Sequence, residues 1–280
     1  MPDMPTLDSM CQGRLRAEAI TLAYDRREIA RELSVTIPDG SFTVIVGPNA
    51  CGKSTLLRAL ARLMPPSAGR VVLDGRDMRR HAPRQVARTL GLLPQTLTAP
   101  DGITVAELVA RGRFPHQSFL RQWSPEDAAA VTAALTATRM TEHVHRPVSE
   151  LSGGQRQRLW IAMALAQDTP ILLLDEPTTY LDIAYQMELL ELLQDLRDAG
   201  RTIVAVLHDL NQASRFATHM IAMRDGRVIA EGAPEAIVTE AMVADVFGLS
   251  ARIMEDPETG LPMIVPRPSP RRASGSGPRA

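Results

Sequence analysis

Gly47-Pro48-Asn49-Ala50-Cys51-Gly52-Lys53-Ser54 stands between an apolar run, Thr43-Val44-Ile45-Val46, and a stretch of helical periodicity that opens on Thr55-Leu56-Leu57-Arg58-Ala59-Leu60. The octet fits the pattern G-x-x-x-x-G-K-[ST], and a strand before it with a helix after it is the context in which that pattern has physical meaning. Its glycines let backbone N–H groups turn toward phosphate oxygens, and the helix start adds positive potential. Lys53 then reaches the β and γ phosphates of a nucleotide, the Ser54 hydroxyl offers a ligand to Mg²⁺, and Thr55 continues the cradle into the helix.

Outward from this loop the chain alternates. Upstream, LRAEAITLAY, RELSVTIP and SFTVIV read as short strands, with Pro38-Asp39-Gly40 as a turn, and predict an antiparallel opening. Downstream, the helix LLRALARL runs until Pro65-Pro66, and RVVLDG makes a strand ending in an Asp-Gly turn. TVAELVARG, SPEDAAAVTAALTAT and GQRQRLWIAMALAQ predict a helical block, with Ser124 as an N-cap and Pro125 at the first helical position. Then ILLLDE, a helix to Gly200, TIVAVLHD and the helix LNQASRFA alternate again, and runs such as ILLL and IVAV suit a parallel sheet buried on both faces. MIAMRDGRVIAEG predicts a hairpin at Asp225-Gly226, followed by a short helix near EAMVADVFG.

Two further motifs carry chemistry. Asp175 and Glu176 end the strand ILLLD, at the edge where ligands of an open α/β sheet collect. Asp175 there is suited to hold Mg²⁺ through its water shell, and Glu176 to take a proton from the water that attacks the γ-phosphate. Taken without the phosphate loop, an Asp-Glu-Pro after a strand reads equally as a turn. Leu151-Ser152-Gly153-Gly154-Gln155 opens a second helix on a Ser cap and two glycines, which suits a second anion contact.

An LSGGQ segment beside a phosphate loop and a strand-DE resembles the ATPase subunits of ABC transporters, from about residue 14 to 250. The resemblance implies an α/β P-loop NTPase cassette with a RecA-like parallel-sheet core, an antiparallel β subdomain and an inserted α-helical subdomain at about 97–167. Residues 1–13 are expected to form a flexible N-terminus, 251–265 a C-terminal extension and 266–280 a disordered tail. In that family two cassettes pair head to tail, so that Ser152, Gly153, Gly154 and Gln155 of one close over ATP held by the other. The simplest such pair is a homodimer. Matched one at a time, Tyr24 falls at the aromatic that stacks on adenine, Gln95 at the glutamine meeting Mg²⁺ and the attacking water, Asp182 at the aspartate coupling the paired sites, and His208 at the histidine on the γ-phosphate. Read without the resemblance, Tyr24 is a packing residue and His208 a structural histidine. Ala50 replaces a common glycine at a free position, which predicts a slightly stiffer loop. Cys51 is read either as a redox-sensitive thiol or as a small residue lending its amide.

ARGRFPHQ, LWIAMALAQ and DEPTTYLDIAYQMELLELL resemble the importers of ferric siderophores, haem and vitamin B12. That resemblance implies an ATP-hydrolysing subunit of an iron-chelate importer on the cytoplasmic face of the inner membrane. It would be bound there to integral permease subunits and indirectly served by a substrate-binding protein. Haem, vitamin B12 and a soluble non-transport ABC ATPase are the alternatives. Phe114, Phe119 and Trp123 are candidates to line a permease groove, or are core.

Composition agrees. With 31 Lys and Arg against 32 Asp and Glu, no field of one sign recommends nucleic acid or anionic lipid. No stretch approaches the roughly 18 apolar residues of a membrane span, and the N-terminus lacks the apolar centre of a secretory signal. A disulfide between Cys11 and Cys51 is not expected. The terminal arginines, Arg267, Arg271, Arg272 and Arg279, are read as solvated or as brushing lipid.

Overall fold

A computed structural model of the chain describes residues 13–25, 27–95, 98–118 and 123–268. The N-terminus with Cys11, the aromatic Phe119, and the tail with Arg271, Arg272 and Arg279 lie outside the described residues.

The centre is a six-stranded sheet built from β3 (Phe42–Val46), β6 (Leu90–Leu93), β7 (Ile171–Asp175), β8 (Thr202–Val206), β9 (His219–Arg224) and β10 (Arg227–Gly232). Its order is β10-β9-β3-β8-β7-β6, parallel throughout except for β10, which returns antiparallel on β9. The apolar runs are buried on both faces because successive side chains point to opposite sides. Thus Val44, Val46, Leu172, Leu174, Ile203 and Ala205 join one core, whereas Ile45, Ile171, Leu173, Val204 and Val206 join the other.

The second core is closed by α1 (Lys53–Leu60) and by a four-stranded antiparallel sheet, β2 (Arg27–Ile37), β1 (Leu15–Tyr24), β4 (Ala68–Leu73) and β5 (Arg76–Asp77). The expected antiparallel opening therefore holds for two of its three strands. SFTVIV instead enters the parallel sheet, where all five residues of β3 are buried. The helix α1 also stops before Pro65-Pro66. Arg62 takes a left-handed φ of 62°, and the N–H of Leu63 folds back onto the Arg58 carbonyl at 2.9 Å, a helix stop that needs no proline.

The helical block consists of α3 (Val105–Arg111), α4 (Pro125–Ala137) and α5 (Gly153–Ala166). Each begins in a capping box, on Thr104 with Glu107, Ser124 with Asp127, and Ser152 with Gln155, and each cap stabilises its helix by about 1 kcal/mol. Arg113 ties the three together. Its guanidinium meets the Asp127 carboxylate at 2.9 Å and donates to the Ala166 carbonyl at 2.7 Å, both buried.

Elements read from the sequence and others it did not mark complete the fold. A short helix that was not expected, α2 (Pro83–Thr89), precedes β6; α6 (Ile183–Asp198) and α7 (Leu210–Phe216) follow β7 and β8 as read; β10 is followed by the unexpected α8 (Pro234–Ile237) and by α9 (Glu240–Phe247), the short helix expected there. Residues 251–266 form a two-stranded hairpin, β11 (Ala251–Glu255) and β12 (Pro262–Pro266), whose Ile264 is buried in the first core. Pro266, where a disordered tail was expected to begin, is instead the last residue of β12, and the exposed Arg267 guanidinium pairs with Glu240 at 2.9 Å. Among the described residues no helix is long and apolar enough to cross a membrane.

Candidate nucleotide site

Four loops leave the carboxyl edge of the parallel sheet, after β3, β6, β7 and β8, and each delivers one marked group: the Gly47–Ser54 loop, Gln95, the Asp175–Glu176 pair and His208. They bound a cavity of about 520 Å³ lined by Tyr24, Arg27, Ile29, Asn49, Ala50, Gly52, Lys53, Ser54, Thr55, Gln95, Glu176 and His208.

The loop after β3 is shaped by two glycines. Gly47 has φ 152°, and a Cβ there would stand 2.2 Å from the Met223 carbonyl oxygen, so only glycine lets the loop pass β9. Gly52 caps α1 at φ 105°. Ala50 also lies in the left-handed region at φ 62°, a conformation that glycine adopts at less cost. The first N–H groups of α1 have no carbonyl one turn back, so they face the cavity as donors for an anion. Lys53 is buried, and its ammonium donates to the carbonyls of Gly47 at 2.8 Å and Pro48 at 2.9 Å, bracing the loop from within. Cys51 is a buried thiol pushed up from its usual pKa by burial, with Lys53 opposing. A buried, protonated thiol is a poor nucleophile, so the redox reading of Cys51 gives way to the small-residue reading.

Beneath the loop, the Ser54 hydroxyl donates to Asp175 Oδ1 at 2.8 Å. Burial pushes the Asp175 carboxyl up, the Ser54 hydrogen bond partly offsets this, and the charge of Glu176 adds to the rise. A nearby cation would relieve that cost. Two oxygen donors of this kind, completed by phosphate oxygens and water, fit Mg²⁺, which does not need an all-protein cage. Among the described residues no cluster of three or more His, Cys, Asp or Glu could hold a metal.

Glu176 sits at φ 54° immediately before Pro177, a conformation non-glycine residues adopt at a cost of about 1–3 kcal/mol. The turn aims its carboxylate into the cavity, where both oxygens are engaged. Gln95 Nε2 donates to Oε2 at 3.0 Å, and His208 Nε2 stands 2.8 Å from Oε1. Tyr24, 45% exposed at the end of β1, offers its ring at the cavity mouth, and Arg58 donates to its hydroxyl at 3.3 Å. Arg27 and Ile29, which the sequence reading did not mark, line the same wall because β2 pairs Arg27 directly with Tyr24.

The second glycine-rich segment lies elsewhere. Ser152, Gly153, Gly154 and Gln155 do not line this cavity, and neither does Asp182, whose carboxylate caps α6 by accepting from the Tyr185 N–H at 3.0 Å. Ser152 caps α5 while Gln155 reaches back to its N–H at 2.9 Å. Ser152 and Gly153 are exposed, and a Cβ on Gly153 would meet nothing within 4 Å. Gly154 approaches the Tyr180 carbonyl, so this helix start and the loop before α6 share one surface.

Residues 30–179 match the family model described as ABC transporter. The ferric enterobactin transport ATP-binding protein of Escherichia coli is 55% identical over 91% of this chain and 94% of its own length. A probable siderophore transport system ATP-binding protein of Bacillus subtilis is 50% identical over 92% and 94%. Among solved structures, a chain of an inward-facing ABC transporter assigned to the metal-chelate type superposes with TM-score 0.76 at 28% identity, covering 91% of this chain and 97% of that one. A dimeric bacterial ABC transporter cassette superposes with TM-score 0.71 at 28% identity, covering 78% and 98%. The chain belongs to the ABC transporter family and is one of its ATP-binding, ATP-hydrolysing cassettes.

Proposed function

We propose that this cassette energises an importer of ferric siderophores, working as one of two copies on the cytoplasmic face of the membrane beneath a permease that receives its cargo from a binding protein. The observation that carries the catalytic part is the meeting of Gln95, Glu176 and His208 at the mouth of the Lys53–Ser54 cradle. The iron-chelate part rests on the siderophore transport proteins of E. coli and B. subtilis, matched over nearly their whole length.

In this reading Tyr24 stacks on adenine, with Arg27 and Ile29 beside it, and the α1 N–H groups hold the phosphates. Lys53 exchanges its carbonyl partners for β and γ phosphate oxygens. Ser54, Asp175 and Gln95 would hold Mg²⁺, which when bound offsets charge on the phosphates. Glu176 accepts a proton from the water whose oxygen attacks the γ-phosphorus as the bond to ADP breaks. Each of its oxygens has two lone pairs, so the contacts from Gln95 and His208 orient the carboxylate and leave it acceptor capacity for that proton. His208 has a destination, the γ-phosphate. Ser152 to Gln155 of the second copy close the site, and Asp182 links the two. Phe114 and Trp123 are 62% and 51% exposed on the helical block, which favours a contact with the permease over a place in the core.

Glu176→Gln should bind ATP as the wild type does while turnover falls at least about a hundredfold. Wild-type turnover in that variant would remove Glu176 as the base. A strain lacking the gene should fail to grow on a ferric siderophore as sole iron source and grow on ferrous iron. Unimpaired growth on every siderophore offered would refute the substrate class.

A further inference from the structure

Helix α7 begins two residues after His208 and is held from both sides by side-chain amides. On one side, the Asn211 amide pairs with the backbone of β12 as a neighbouring strand would. The Ile264 N–H donates to Asn211 Oδ1 at 2.7 Å, and Asn211 Nδ2 donates to the Ile264 carbonyl at 3.2 Å. One turn on, the Ser214 hydroxyl donates to the Pro262 carbonyl at 2.5 Å. On the other side, Gln212 Nε2 donates to Gln186 Oε1 at 2.7 Å. Gln186 in turn donates to the carbonyls of Leu181 at 3.0 Å and Thr178 at 3.3 Å, in the loop that follows Glu176.

A continuous chain of hydrogen bonds thus runs from the C-terminal hairpin through α7 to the loop carrying Glu176, and His208 and Glu176 meet at its end. The seven-residue α7 packs on the core through Leu210, Ala213 and Phe216, and these bonds add a fixed reference on each side of it. The hairpin has its own reason to stay: Ile264 is 4% exposed. A rigid hairpin on one side and the Glu176 loop on the other leave α7 one position relative to both.

We infer that the C-terminal hairpin, through Asn211, and Gln186, through Gln212, are positioning elements that set His208 against Glu176 and the γ-phosphate. This rests on the role given to His208 above. The loss of either amide should let α7 shift by a fraction of an ångström, enough to misplace His208 without touching the cradle.

The test uses the full chain with Asn211→Ala and, separately, Gln212→Ala, both near the surface. Each should lower kcat about tenfold and leave the ATP dissociation constant within about twofold of wild type. Repeated in a His208→Ala background, each should cost less than about twofold more, since the residue they position is gone. The His208 Hε1 resonance of the ATP-bound chain should move or broaden in both variants, a readout that holds even where turnover without His208 is too slow to measure. Wild-type kcat in both variants, equal losses in the two backgrounds, or an unmoved His208 resonance would overturn the inference while leaving the role of His208 intact. Full turnover of His208→Ala alone would instead strike that role, and the inference with it.

Discussion

The chain has two glycine-rich helix starts, and they need their glycines for different reasons. At Gly47 the fold itself forbids a side chain, because a Cβ would collide with the Met223 carbonyl. At Gly153 a Cβ would meet empty space, the residue is exposed, and nothing within one chain requires glycine. The first helix start is surrounded by polar groups of its own chain, with Lys53, Ser54, Asp175, Gln95, Glu176 and His208 already hydrogen-bonded to one another or to the loop. The second is capped by Ser152 and Gln155, rests on its own chain at Gly154 and Gln155, and leaves Ser152 and Gly153 exposed. One lies inside its own chain's cavity; the other is exposed, as the proposed pairing with a second copy requires.

Substitution at the two positions separates these reasons. Gly47→Ala should destabilise the fold by roughly 3 kcal/mol and abolish ATP binding, read by thermal unfolding and nucleotide titration. Gly153→Asp should do the opposite to the single chain. An acidic residue in the first turn of α5 complements the helix dipole, so Tm should hold or rise slightly, and ATP should still bind. Turnover should nevertheless fall at least about tenfold, because the added carboxylate would face the phosphates of the nucleotide held by the other copy. A smaller effect belongs to the scaffold under the second helix start. Burial would raise the Asp127 carboxyl, but hydrogen bonds from Arg113 and Ser124 outweigh it and hold the pKa below the usual value. A depressed folded pKa means stability that is present above the unfolded value of about 3.9 and is lost as pH falls through the folded one. Asp127→Asn should therefore lower Tm at pH 7 and flatten its decline below pH 4. The smallest effect is expected at Cys51: its buried thiol should leave ATPase activity unchanged on brief treatment with a thiol reagent.

The same contrast explains what could be read without coordinates. The cradle was legible because its residues are neighbours in sequence or stand at the ends of apolar strands, where position along the chain implies position in space. Ser124 was legible as an N-cap for the same local reason. The hairpin at 251–266 was not, because ARIME and PMIVP are short and prolines flank the second strand, a pattern that fits an edge and equally a loop. Helix α2 was missed because HAPRQVART carries one buried apolar residue, Val86, and so has no periodicity to detect. Arg27 and Ile29 depend on the register of β2 against β1, and the pairing of Asn211 with Ile264 joins side chain to backbone 53 residues apart. Neither distance is written in a local pattern. Gly153 is the reverse case: its motif is plain in the sequence, but only the coordinates show that a side chain at this one position would meet nothing within 4 Å.

The central claim is that the second helix start completes an ATP site on another copy. Sedimentation velocity of Glu176→Gln, which should bind ATP without consuming it, tests this most directly. Added ATP with Mg²⁺ should convert the species of one chain's mass into one of twice that mass, and Gly153→Asp in the same background should block the conversion while ATP stays bound. An ATP-loaded Glu176→Gln chain that remains single, beside a wild type whose turnover per chain does not change with protein concentration, would contradict it.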